Sequence, residues 1–124
     1  MAPEEELFRA ALAAREKAHA PYSGFAVGCA IRGESGRIYA GCNIENQSYP
    51  EGWCAETSAI AHMVMAGETR IVEVCVVGDM DPPITPCGGC RQRLAEFGAP
   101  STLVHSAGPE GPRASWSLEA SSRP

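Results

Sequence analysis

Cys54-Ala55-Glu56 and Pro86-Cys87-Gly88-Gly89-Cys90 are the two strings from which the rest of this chain is read. Cysteine thiolates are soft ligands that zinc prefers, and a C-x-x-C pair can reach one tetrahedral ion from a single turn. Cys54, Cys87 and Cys90 supply three ligands and leave a fourth position for water, which is the arrangement of a catalytic zinc and not of a structural one. Glu56 stands two residues after the lone cysteine. Its tether is too short for a spare ligand, and it is well placed to handle that water's proton. Both strings open stretches with helical periodicity. Unpaired N–H groups and the helix macrodipole stabilise negative charge at such starts. Gly88 and Gly89 let the backbone come close without side-chain obstruction.

Working outward, Cys54 to Ala66 reads as a helix with Ala55, Ala59, Met63 and Ala66 on one face, Ile60 and Val64 beside it, and Gly67 as its C-terminal cap. Cys87 to Phe97 reads as another, with Cys90, Leu94 and Phe97 facing inward and Gly98 closing it. Between them Ile71 to Val77 is a near-continuous apolar run, which suits a central strand covered on both faces. Upstream, Glu4 to His19 has helical spacing and meets Pro21. Phe25 to Ile31 and Arg37 to Cys42 form a hairpin around Gly33-Glu34-Ser35-Gly36. Asn43 to Trp53 is an irregular loop rich in polar and aromatic residues. Thr102 to His105 and Arg113 to Ser117 are short strands, and the last residues read as a frayed tail from about 118. The order α-β-β-α-β-α-β-β implies one α/β domain over residues 1–124. It is a three-layer α/β/α sandwich around a mixed sheet of about five strands.

Composition narrows the function classes. A chain of 124 residues is long enough to bury roughly two-thirds of its unfolded surface. Its net charge of −5, with Arg32, Arg37, Arg70, Arg91 and Arg93 dispersed, lacks the footprint of a phosphate-backbone binder. A small substrate is expected, and no nucleic-acid polymer. No apolar run is long enough for a membrane span. Met1 to Glu6 is acidic and lacks the order of a signal peptide, so a cytoplasmic protein is expected, without a disulfide framework. Cys29, Cys42 and Cys75 lie inside apolar runs and read as buried small hydrophobes. His19, His62 and His105 do not stand at ligand spacing.

Together the strings resemble the zinc-dependent cytidine deaminases, in the small homotetrameric form that acts on free nucleosides. The resemblance covers residues 5 to about 117. It implies hydrolytic deamination of cytidine and deoxycytidine to uridine and deoxyuridine plus ammonia, in pyrimidine salvage, with one zinc per chain. It gives Glu56 the part of proton shuttle: taking a proton from the water as C4 of the base is attacked, delivering it to N3, and protonating the leaving ammonia. Asn43-Ile44-Glu45-Asn46-Gln47-Ser48-Tyr49 resembles the family's ribose-binding loop, which makes Asn43 and Glu45 partners of the sugar hydroxyls. Tyr22-Ser23-Gly24-Phe25-Ala26-Val27-Gly28 resembles the segment that supplies an aromatic wall to the pyrimidine pocket, with Phe25 as the wall. By the same resemblance the Ala55 backbone contacts the base, and Gln92 can donate to a metal-bound sulfur.

Two departures stand out. A basic residue follows the Cys-Ala-Glu string in the family, and here that position is Thr57. Three thiolates leave a net negative site, so the change bears on how zinc polarises its water. Small family members also continue into a further hydrophobic segment, whereas here Ala114 to Ala120 is followed only by Ser-Ser-Arg-Pro. Rival readings are a deaminase of another aminopyrimidine nucleoside, such as a blasticidin-type antibiotic, and a non-catalytic zinc-binding relative. The second would need a fourth protein ligand, and none is evident.

Overall fold

Helix α1 (Pro3–Arg15), strands β1 (Val27–Gly33) and β2 (Ile38–Cys42), helix α2 (Ala55–Met65), strand β3 (Ile71–Gly78), helix α3 (Gly88–Phe97) and strands β4 (Leu103–Gly108) and β5 (Gly111–Ser117) follow one another in the expected order. They come from a computed structural model of the protein, which describes residues 3–47, 53–78 and 88–118. The strands form one sheet in the order β2-β1-β3-β4-β5. All neighbours are antiparallel except β3 and β4, which run parallel. The sheet is therefore mixed, with the apolar Ile71 run at its centre.

Side-chain alternation along the strands supplies two apolar faces. On one, Ala30, Cys75, Val77 and Ala107 pack with Leu7 and Ala11 of α1. On the other, Cys29, Ile31, Val74, Val76 and Val104 pack with Ala55, Ala59, Ile60 and Met63 of α2 and with Leu94 of α3. The helices thus cover both faces, which is the three-layer arrangement read from the pattern. At two points the layers touch through backbone. A Cβ on Gly28 would lie 2.0 Å from the Ala11 carbonyl oxygen of α1, and one on Gly41 would lie 2.4 Å from the Ala59 nitrogen of α2.

Element ends differ from the sequence reading, and the reasons are long-range. Helix α1 stops at Arg15 instead of continuing to His19. The His19 backbone leaves the helix to bond the loop after β2: its N–H donates to the Asn43 carbonyl at 3.0 Å, and its carbonyl accepts from the Glu45 N–H at 2.8 Å. Strand β1 starts at Val27, not Phe25, because both backbone groups of Phe25 are held by side chains instead of by a neighbouring strand. On α2, Val64 is 43% exposed and Ala66 faces solvent, so the buried stripe ends at Met63. Gly67, at φ +94°, ends α2 as expected. Its N–H bonds the Val64 carbonyl and that of Glu68 bonds Met63, the two bonds of a Schellman cap.

Two polar clusters tie elements together. Glu68, just past α2, accepts hydrogen bonds from the Ser35 N–H (2.9 Å), the Ser35 hydroxyl (2.7 Å) and the Tyr39 hydroxyl, so the hairpin turn is fastened to the end of α2. His105 on β4 lies between Glu73 on β3, which bonds its Nε2, and Ser115 on β5, whose Oγ is 2.6 Å from its Nδ1. Cys29 and Cys75 are buried as expected, and Cys42 is only partly so. The described residues contain no helix long and apolar enough to cross a membrane.

Candidate active site

The segment around Ile44 is held from both sides. It makes a parallel bridge to His19 and an antiparallel bridge to Trp53, with Ile44 and Trp53 exchanging both backbone bonds at 2.8 Å. The Trp53 backbone thereby fixes the residue that follows it. Cys54 is the N-cap of α2, extended at φ −71° and ψ 157°, and its side chain makes no capping bond. Its thiol stands half-buried at the positive end of the helix dipole, where negative charge is favoured.

Ala55 is 1% exposed and seats the first turn on the sheet among the core residues. Glu56 follows at 5% exposure, a buried carboxyl in that same turn. Burial pushes the Cys29 thiol of β1 well up, and the Glu56 charge adds to it, so Cys29 stays a neutral thiol. Thr57 carries a hydroxyl that is buried and lacks a hydrogen-bond partner among the described residues.

Helix α3 lies against α2 on the same face of the sheet, anchored by the fully buried Leu94. Cys90 falls in its first turn. The structure describes Cys90 and Gln92 as backbone, and Cys87 lies outside the described residues, so the three cysteines are joined here by chain position alone. Among the described side chains, no three His, Cys, Asp or Glu groups gather at one point. The residues present nonetheless fit a zinc ion. One thiol stands at a helix start, a second string begins the neighbouring helix, and a buried hydroxyl in the turn after the first has a proton to give and no acceptor among the described residues.

Asn43 and Glu45 both turn toward the segment before β1. Asn43 Oδ1 accepts from the Val27 N–H at 2.8 Å, and its Nδ2 donates to the Phe25 carbonyl at 2.9 Å. Glu45 Oε1 accepts from the N–H groups of Tyr22 (2.9 Å) and Ser23 (3.1 Å), and Oε2 accepts from the Ser23 hydroxyl. These bonds, the Ser23 hydroxyl foremost, hold the Glu45 carboxyl below its ordinary range. Phe25 is half-buried and belongs to neither core cluster. The structure thus brings Phe25, Asn43 and Glu45 together, and the Ile44–Trp53 bridge ties their loop to Cys54. Sequence reasoning missed Ser23 and gave Trp53 no role beyond packing. A serine two residues before the aromatic, next to a glycine, was the available signal for the first. The second acts through backbone pairing, which leaves no mark in composition.

The family model described as "Cytidine and deoxycytidylate deaminase zinc-binding region" matches residues 1–106. The chain belongs to that deaminase family. The resemblance read from the cysteine strings is borne out, and by membership the chain is a zinc-dependent deaminase. It is 46% identical to a cytidine deaminase of Sporosarcina psychrophila over 93 residues, which are 75% of this chain and 68% of that protein. With a cytidine deaminase of Halalkalibacterium halodurans it shares 41% over 99 residues, 80% of this chain and 75% of the other. The crystal structure of cytidine deaminase from Burkholderia pseudomallei superposes with a TM-score of 0.91 at 40% identity, covering 98% of this chain and 96% of that one. The Mycobacterium leprae cytidine deaminase structure gives 0.82 at 36% identity, with 97% of each chain covered.

Proposed function

We propose that this deaminase hydrolyses the exocyclic amine of cytidine and deoxycytidine, releasing ammonia, in cytoplasmic pyrimidine salvage. One observation carries the reading: a buried carboxyl, Glu56, in the first turn of a helix whose N-cap is a cysteine, with a polar loop bridged to that cap. Cys54, Cys87 and Cys90 would hold the zinc, and Gln92 and Thr57 would offset their charge. Bound there, zinc supplies the Lewis acidity that makes water a nucleophile at neutral pH.

Glu56 moves the protons. As the water oxygen bonds to C4, the carboxylate takes one of its protons and delivers it to N3. The second water proton passes by the same carboxyl to the exocyclic nitrogen, the C4–N bond breaks, and ammonia leaves a carbonyl at C4. Phe25 would stack on the base, and the Ala55 backbone would contact its polar edge. Glu45 retains acceptor capacity and Asn43 a second amide proton, so each can still meet a sugar hydroxyl. Glu56→Gln is nearly isosteric and is expected to keep fold and zinc while lowering turnover about 10²–10⁴-fold. Metal analysis and an absorbance assay on cytidine, deoxycytidine, cytosine and blasticidin S test this. Near-normal turnover in the zinc-loaded variant would sink the shuttle. Equal efficiency on cytosine and cytidine would remove the sugar loop, and preference for blasticidin S would replace the substrate.

The active unit is a homo-oligomer, a tetramer by family resemblance. Tyr22, Ile44 and Trp53 support it: they are 60%, 44% and 50% exposed and sit beside the sugar loop. Apolar groups so placed favour burial against another subunit.

A further inference from the structure

We infer that Ser23 is a positioning residue for the substrate sugar, because its hydroxyl sets the Glu45 carboxylate in the orientation that receives a sugar hydroxyl. The inference rests on the sugar reading of Glu45 given above. The geometry is specific about which proton goes where. The Phe25 N–H donates to Ser23 Oγ at 3.0 Å, occupying an oxygen lone pair. The single hydroxyl proton is left to Glu45 Oε2. Glu45 Oε1 already accepts two backbone N–H groups. Oε2 has the Ser23 hydroxyl and lone-pair capacity beyond it, so Oε2 is the oxygen with room for a sugar hydroxyl. Gly24, at φ +70°, supplies the turn that lets Ser23 serve Glu45 and Phe25 together.

Without the hydroxyl the two backbone donors still hold Oε1, and the carboxylate becomes free to swing about that anchor. Fold should be little affected, because Ser23 is exposed and water can replace its bonds. The same bonds depress the Glu45 carboxyl, with the Ser23 hydroxyl as largest cause. The carboxylate therefore stays an acceptor into mildly acid solution. Losing the hydroxyl should move the acid limb of sugar binding toward neutrality.

The test uses the zinc-loaded enzyme in four forms besides wild type: Ser23→Ala, Ser23→Thr, Glu45→Ala and the Ser23→Ala/Glu45→Ala double variant. Ser23→Ala is expected to raise the cytidine KM about 5–10-fold, with kcat changed less than about twofold. The uridine Kd by calorimetry should rise in parallel, and Ser23→Thr should restore both. In the Glu45→Ala background the Ser23 substitution should change nothing further. Equal effects of Ser23→Ala in both backgrounds would overturn the positioning role and leave the sugar reading standing. So would a fall in kcat matching the rise in KM, or a loss of folding in Ser23→Ala. An unchanged cytidine KM in Glu45→Ala would overturn the sugar reading, and the role of Ser23 with it.

Discussion

At the scale of single residues, Thr57 poses the sharpest question. A buried hydroxyl without a partner costs about 1–3 kcal/mol, which a fold does not keep without return. Its place in the first turn of α2, three residues after Cys54, would make the sulfur of the zinc ligand proposed there an acceptor for it. A hydroxyl dipole there would relieve part of the negative charge that three thiolates leave. Thr57→Val has nearly the same shape and removes only the donor. The expected result is an equal or slightly higher melting temperature for metal-free protein. From the holoenzyme, zinc should pass to a chromophoric chelator about fivefold faster. Unchanged chelation kinetics would leave the hydroxyl with no part in the metal site.

At the scale of elements, Glu68 decides how the β1–β2 hairpin stays attached to α2. The Tyr39 hydroxyl is the largest cause holding its carboxyl below the usual range, followed by the Ser35 N–H and hydroxyl. A folded-state value below the unfolded one means that the stabilisation is present above the ordinary carboxylate pKa. It is lost as pH falls through the folded value. Thermal unfolding between roughly pH 3 and pH 7 should therefore show an acid limb that Glu68→Gln flattens. The elements themselves were legible in the sequence. Apolar spacing separated the Ile71 run from the Ala55–Met63 stripe, and glycines marked the hairpin turn and the α2 cap. Their ends were not. His19 and Phe25 both looked like parts of regular elements, yet the backbone groups of His19 and the carbonyl of Phe25 are bonded by residues more than a dozen positions away. Cys54 and Glu56 stood out as candidates in the sequence because metal chemistry would dictate both residue type and spacing. Ser23 was not, since its importance depends on Glu45 arriving from the far end of the hairpin.

At the scale of the whole molecule, the apolar groups that the single chain leaves in solvent are the feature to explain. Besides Tyr22, Ile44 and Trp53, Met65 at the end of α2 is 86% exposed and Val64 beside it 43%. The proposed tetramer would cover them. Met65→Lys touches no core contact, so the monomer fold should be unaffected while the assembly loosens. Light scattering at micromolar concentration should show wild type as an oligomer and Met65→Lys shifted to smaller species. A wild-type protein that is an active monomer would end the assembly reading without touching the deamination chemistry.

Gly28 and Gly41 lie on neighbouring strands one register step apart, and each receives a helix backbone from the opposite side of the sheet. The sandwich is pinched there, and its thickness at that spot is set chiefly by main chain. Elsewhere on the hairpin a larger or smaller side chain can be accommodated by its neighbours repacking. At the pinch the nearest atoms are backbone, with the Ser58 Cβ beside them at Gly41, and none is the far end of a flexible side chain, so the spot is closed to diversification however far the rest of the sequence drifts. A saturation library screened for folded protein is expected to return glycine alone at both positions, while Gly36, with open space around its Cα, accepts asparagine or aspartate.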